Sequence, residues 1–314
     1  MRIIAMITGL FMLFSASAFA SDLKAAVSII PQKYLADKIS GGRFETMAVV
    51  GRGSNPHNYE PKPQQMVFMS KAQVYFSIDL SFEDVWLEKL LSANKNIKHV
   101  DCADPIPRFP ISGEIIEDEN GHGHEEEHEH SEEHGHEHEH GEDEHHHHDH
   151  GELDPHIWLS PMNMKIMAKL IAGTFSEIDP AGKSVYDKNL AALLREIDST
   201  DAKIRENLKN VPEGTPFMVF HPSWGYFASK YSLRQVAVEV EGKEPKPAQL
   251  KKLIGYAKER GIRVVFVQPQ FSKKSAQAIA VSIKGEVIEI DPLAYEWSSS
   301  LIHVSEVLAK ALKK

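Results

Sequence analysis

The sequence predicts an α/β fold of two lobes, each a parallel sheet flanked by helices, joined by one long rigid helix. Three observations predict it. Short apolar strands alternate with helical patterns in a first run, the alternation recurs in a second run, and an unbroken helical stretch separates the two. Strand–helix alternation implies parallel sheets with helices on both faces.

In the first run, residues 25–30, 46–50, 74–78 and 97–100 read as short buried strands. Helical patterns fall at 33–39, 63–71 and 82–93, and a further one at 162–175. Residues 183–209 then contain no Gly or Pro and are bounded by Pro180 and Pro212. Leu190, Leu193, Leu194, Ile197, Ile204 and Leu208 recur there at helical spacing. Such a helix extends about 40 Å and suits a spacer between lobes. In the second run the strands are 217–220, 235–240, 264–267 and 287–290. Its helices are 224–230, 248–260, 273–284 and 298–312. The expected organisation is a leader at 1–20, a first lobe at 21–180, the linking helix at 181–211 and a second lobe at 212–314.

The leader reads as a secretory signal. Arg2 gives the positive start, residues 3–14 are apolar, and Ala18-Phe19-Ala20 is a small-x-small cleavage site. The apolar run is shorter than the roughly 20 residues that span a bilayer. No Cys follows the cleavage site, so a periplasmic chain without a lipid anchor is expected. Cys102 is the single cysteine, which excludes an internal disulfide and suits a small buried hydrophobe.

The formal charge of −10 belongs to one segment. Residues 121–150 hold twelve acidic groups and no Lys or Arg, so the rest is nearly neutral. No basic stripe interleaved with aromatics points to nucleic acid. Thirteen of the 18 His lie in the same segment: His122, His124, His128, His130, His134, His136, His138, His140, His145, His146, His147, His148 and His150. Mutual repulsion and scarce apolar groups predict disorder without metal across 114–152. Clustered His, Glu and Asp offer several weak, fast-exchanging metal sites there. His124–His128 and His136–His140 match H-E-x-x-H, but this is a product of composition, without the stable helix and cleft that a protease needs.

Five His lie elsewhere. His57 stands in the loop after the strand ending at Val50, and His221 directly follows the strand 217–220. Asp291 directly follows the strand 287–290. Ligands of open parallel sheets bind outside the carboxyl ends of strands, so these residues could meet in a crevice between lobes. His156 lies in a Pro-flanked loop, Asp154-Pro155-His156-Ile157-Trp158-Leu159-Ser160-Pro161. Neutral imidazoles suit Zn²⁺, and three with a carboxylate or water complete a tetrahedron. His99 and His303 read as packed or hydrogen-bonded residues, and Trp158 and Trp224 as packing groups. Protons compete for imidazole, so affinity is expected to fall below the ordinary ring pKa of about 6.5.

Pro56-His57-Asn58-Tyr59, Asp154-Pro155-His156-Ile157-Trp158-Leu159, Phe220-His221-Pro222-Ser223-Trp224 and Ile290-Asp291-Pro292-Leu293 occur in that order. Together they resemble the cluster A-I solute-binding proteins, specifically the ZnuA-type zinc-binding subunits of bacterial ABC importers. The resemblance runs over nearly all of the chain after the leader. It implies two α/β lobes on a long helix, with metal between them, and a non-enzymatic binding protein. It carries His57, His156 and His221 over as ligands and Asp291 as the fourth metal-facing position, for which Glu60 and a water compete. The implied partners are a membrane permease and its cytoplasmic ATPase, with the binding subunit a monomer. The chain has no G-x-x-x-x-G-K-[ST] loop of its own. Manganese-binding relatives usually carry Glu where His221 stands, and a third imidazole favours zinc over manganese. A manganese or iron importer subunit is the nearest alternative. A secreted zinc hydrolase or an adhesin-like protein is more distant.

Overall fold

A computed structural model describes residues 23–111, 153–239 and 243–312. The leader and all thirteen clustered His lie outside these described residues.

The first sheet comprises β1 (Lys24–Val27), β2 (Glu45–Ala48), β3 (Val74–Ser77) and β4 (Lys98–Asp101), all parallel, in the order β2-β1-β3-β4. Around it pack α1 (Ile30–Ser40), α2 (Pro63–Met69), α3 (Ser81–Ser92) and α4 (Pro161–Ile178). The second sheet repeats the pattern with β5 (Thr215–Val219), β6 (Leu233–Ala237), β7 (Val264–Val267) and β8 (Glu286–Glu289) in the order β6-β5-β7-β8. Its helices are α6 (Gly225–Lys230), α7 (Pro247–Glu259), α8 (Lys274–Ser282) and α9 (Trp297–Ala311). Between the sheets runs α5 (Lys183–Leu208), close to the predicted 183–209.

Several expected boundaries move: the predicted helix 33–39 begins at Ile30, the predicted strand 46–50 ends at Ala48, and the predicted strand 235–240 lies at Leu233–Ala237. The predicted strand 25–30 ends at Val27, and Ile30 opens α1. Pro31 in the first turn presets helical φ, and Gln32 Oε1 accepts the N–H groups of Ser28 and Ile29 at 3.0 and 3.2 Å. The same local device starts α7: Pro247 occupies the first turn and Gln249 Oε1 accepts Lys246 N–H at 2.8 Å. At α1 this start turns the chain sharply at the carboxyl end of β1.

The main apolar core is continuous from the first sheet through α5 to α9 and one face of the second sheet. Alternation along β5 and the residue after it divides the side chains: Phe217 and Val219 face this core, while Met218 and Phe220 face a smaller one under α7 and α8. Tyr186, Leu193, Ile197, Ile204 and Leu208 of α5 are buried in the main core, as its helical periodicity requires. Glu196 of α5 accepts hydrogen bonds from Tyr34 of α1 and Ser298 of α9, so one side chain ties elements of both sheets. Cys102 is fully buried and unpaired. His99 bonds Ser77 Oγ through Nε2 at 2.8 Å, while His303 is exposed on α9. Among the described residues no helix is long and apolar enough to cross a membrane.

Candidate metal centre

Three loops bring three imidazoles together. His57 sits on a 3-10 turn, Pro56–Asn58, after β2, where Asn55 Oδ1 caps its N–H at 2.9 Å. His156 immediately precedes a second such turn, Ile157–Leu159, and Asp154 Oδ1 holds its backbone N–H at 2.9 Å. His221 follows β5, and its peptide is clamped by Gln268, which accepts its N–H at 3.2 Å and donates to its carbonyl at 2.7 Å.

The Nε2 atom of His221 stands 3.0 Å from that of His57 and 3.2 Å from that of His156. Donors placed about 2.05 Å from a tetrahedral zinc are separated by about 3.3 Å, so the spacing fits that ion. Among the described residues, these three form the cluster whose donor atoms all lie within 4.8 Å of one another.

The outer ring atoms decide what the inner ones offer. His156 Nδ1 lies 2.7 Å from Asp154 Oδ1, and His221 Nδ1 lies 2.6 Å from Glu239 Oε1. The bonded oxygen of each carboxyl group accepts, Asp154 having its second oxygen, Oδ2, to carry a proton, which assigns the ring proton to Nδ1 in both imidazoles and a lone pair to Nε2. Two lone pairs then face each other at 3.2 Å, an arrangement that a cation between them stabilises. His57 Nδ1 rests 3.3 Å from Ser81 Oγ. Phe271 stacks on His221 with ring centroids 4.6 Å apart, and Trp158 lies 5.3 Å from His156, so apolar rings wall the site from water.

The carboxylates predicted for the fourth position lie outside this cluster. Asp291 Oδ1 instead accepts from Gln270 Nε2 at 2.9 Å and from Leu293 N–H at 3.0 Å. Glu60 is exposed. Asp154, Glu239, Ser81 and Gln270 were not singled out from the sequence as site residues. Glu239 was accessible in principle, because the β5–β6 register of 18 residues, continued past Val219↔Ala237, puts it beside His221.

Burial pushes the His57 imidazole down to about 2, with a smaller contribution from His156 and His221. Burial likewise holds His156 far below its usual range. Proton competition at these two rings therefore starts at lower pH than the ordinary value of about 6.5 implies. Burial raises Asp154 from 3.8 to about 7. These shifts set the pH dependence of the metal-free protein. Below about 6.5 the unfolded chain protonates both imidazoles while the folded chain keeps them neutral, so stability is lost as pH falls. Asp154 opposes this between 3.8 and about 7, where the folded protein retains a proton that the unfolded chain has lost. Two rings against one carboxyl leave a net loss of stability as pH falls. Metal-free protein is expected to melt at lower temperature at pH 5 than at pH 7. A higher melting temperature at pH 5 would contradict the assigned burial of the rings.

Comparison with known proteins places this geometry. The chain is 26% identical over 324 residues to the zinc-binding lipoprotein AdcA of Streptococcus pneumoniae, covering 99% of this chain and 60% of that protein. It thus spans less than two thirds of that relative's length. A crystal structure of ZnuA superposes with TM-score 0.77 at 39% identity, covering 93% of this chain and 99% of the other. A crystal structure of a ZnuA deletion mutant with zinc bound superposes equally, at 38% identity over 93% and 98% of the two chains. The family model described as ZnuA, zinc-uptake complex component A, periplasmic, matches residues 26–312, and the chain belongs to that family.

Proposed function

We propose that this protein captures Zn²⁺ in the periplasm and delivers it to the permease of an ABC importer, without catalysing a reaction itself. The observation that carries the reading is the convergence of three imidazoles, with His221 Nε2 3.0 Å and 3.2 Å from those of His57 and His156. His57, His156 and His221 are the proposed ligands. Their all-nitrogen character supports zinc over manganese, which prefers oxygen donors. The zinc-bound crystal structure of a ZnuA variant and the name of AdcA support the same cargo. A permease and its ATPase are the proposed partners, the binding subunit acting as a monomer. AdcA is named a lipoprotein, whereas the form proposed here diffuses freely after removal of its leader.

The clustered His of residues 121–150 are proposed as an auxiliary arm that gathers zinc near the site through weak, rapidly exchanging contacts. Equilibrium zinc titration of full-length and arm-deleted protein, with bound metal measured directly, tests both parts. Deletion of residues 121–151 is expected to leave one tight zinc per chain and to remove the weaker ones. Loss of the tight ion on deletion would move the primary site into the arm and overturn the assignment.

A further inference from the structure

Three features near the imidazoles are unexplained by the three-ligand site. Gln270 lines the same cavity as His57, His156 and His221. Its Nε2 donates to Asp291 Oδ1 at 2.9 Å. Its Oε1 is buried and meets no hydrogen-bond partner among the described residues. The orientation of this amide is fixed by chemistry. A carboxylate cannot donate, so the nitrogen must face Asp291 and the carbonyl oxygen must face away from it. Asp291 is itself anchored by the backbone N–H of Leu293. The result is a rigid chain, Leu293 to Asp291 to Gln270, ending in an acceptor without a donor. Buried carbonyls are ordinarily satisfied, and an exception calls for a missing group.

Resting on the three-imidazole reading, we propose that Gln270 accepts a hydrogen bond from the water that completes zinc's coordination, with Asp291 as the residue that positions its amide. Three ring nitrogens leave a tetrahedral zinc one position short. Of the other side chains lining the cavity, Trp158, Ser223 and Gln270 carry polar atoms; Trp158 Nε1 donates to Pro292 O at 2.7 Å, and Ser223 Oγ already accepts from Gln268 Nε2 at 2.9 Å. Zinc's usual protein donors are thiolate, imidazole and carboxylate, so an amide oxygen acts on the bound water and not on the ion. The electronic consequence is specific. A neutral acceptor stabilises bound water over hydroxide, because water has two protons to donate and hydroxide one. Gln270 therefore holds the site away from the hydroxide chemistry of hydrolytic zinc centres, whose bound water ionises near 7. The ligand that a receiving protein must displace is then a neutral water.

The test uses full-length protein, stripped of metal and titrated with zinc or cobalt(II), alongside Gln270→Leu, Gln270→Met, Asp291→Asn and His221→Ala variants. Gln270→Leu and Gln270→Met, which lack the acceptor, are each expected to weaken zinc binding about tenfold. Asp291→Asn keeps an oxygen for Gln270 and Leu293 and is expected to lose less. In the cobalt-loaded protein, the pH at which the visible spectrum reports ionisation of bound water should fall by about one unit in both Gln270 variants. Melting curves of the metal-free variants show whether each is folded, and Met, unbranched and close to Gln in length, guards against a packing defect in Leu. A crystal structure of the zinc-loaded protein should place a non-protein oxygen on the metal within hydrogen-bond reach of Gln270 Oε1. The proposal is overturned if Asp291, Glu60 or Gln270 itself occupies the fourth position. A larger loss from Asp291→Asn than from the Gln270 variants, or an unmoved cobalt titration, also overturns it. His221→Ala separates the two levels: undiminished zinc binding there removes the three-imidazole reading, whatever the Gln270 variants do.

Discussion

Replacing His221 with alanine is expected to abolish tight zinc binding, lowering affinity by more than about 100-fold, beyond the 10–100-fold typical of residues that only support a ligand. His221 is the central ring of the three, with Nε2 contacts of 3.0 Å to His57 and 3.2 Å to His156. Its removal takes away one of three donors and also strands Glu239, which is buried and bonded to His221 Nδ1. A buried carboxylate deprived of its partner destabilises a fold by roughly 3–5 kcal/mol unless it takes up a proton. His221→Ala is therefore expected to lower the melting temperature of the metal-free protein as well. His221→Gln, which can still donate toward Glu239, separates the two effects: it should recover stability more than zinc affinity. Titration with direct metal measurement reads the first and thermal unfolding the second. Wild-type affinity in His221→Ala would remove the ring from the site.

Trp158→Ala is expected to cost about 3–5 kcal/mol of stability, the range for large buried aromatics. Trp158 is among the largest fully buried side chains. Its indole N–H donates to Pro292 O at 2.7 Å, and its own carbonyl accepts from Trp297 Nε1 at 2.8 Å. It thus joins the loop bearing His156 to the loop bearing Asp291 and to the start of α9. Truncation opens a void beside His156 and frees both loops, so zinc affinity should fall together with stability. Trp158→Phe keeps most of the packing and loses the hydrogen bond, worth about 1 kcal/mol plus the unsatisfied carbonyl. Denaturant unfolding of the two variants gives the ranking. Equal effects from Ala and Phe would mean that the hydrogen bond, not the ring volume, sets the cost.

Local pattern made most of the architecture legible. The apolar runs at 74–78 and 264–267 lie in central strands covered on both faces, where a continuous hydrophobic stretch is the expected signature. The unbroken stretch before Pro212 made α5 visible. The end of β1 was less visible, because Ser28, Ile29 and Ile30 are apolar or small and continue the strand's composition. Only the Gln32 side chain bonding back to their N–H groups reveals the turn. At the site, His57, His156 and His221 could be picked out by position at strand ends and in Pro-bounded loops. Of their supporting partners, Glu239 follows once the β5–β6 register of 18 residues is known, whereas Gln268, 47 residues from His221, follows only from the pairing of β5 with β7. Asp291 stands past the end of β8 as its strand placed it, and its Oδ1 accepts from Gln270 Nε2 and Leu293 N–H. No periodicity encodes such a contact.

The clasp of Glu196 between Tyr34 and Ser298, at the half-exposed margin of a core shared by both sheets, bears on the thermodynamics of capture. The loops that carry the three rings are fastened to a frame held by contacts of its own, which involve none of the three ring nitrogens. Ordering of the backbone is completed during folding, so association leaves little conformational entropy still to lose. Calorimetry should accordingly find a heat-capacity change on zinc binding far smaller than that of a protein that closes over its cargo.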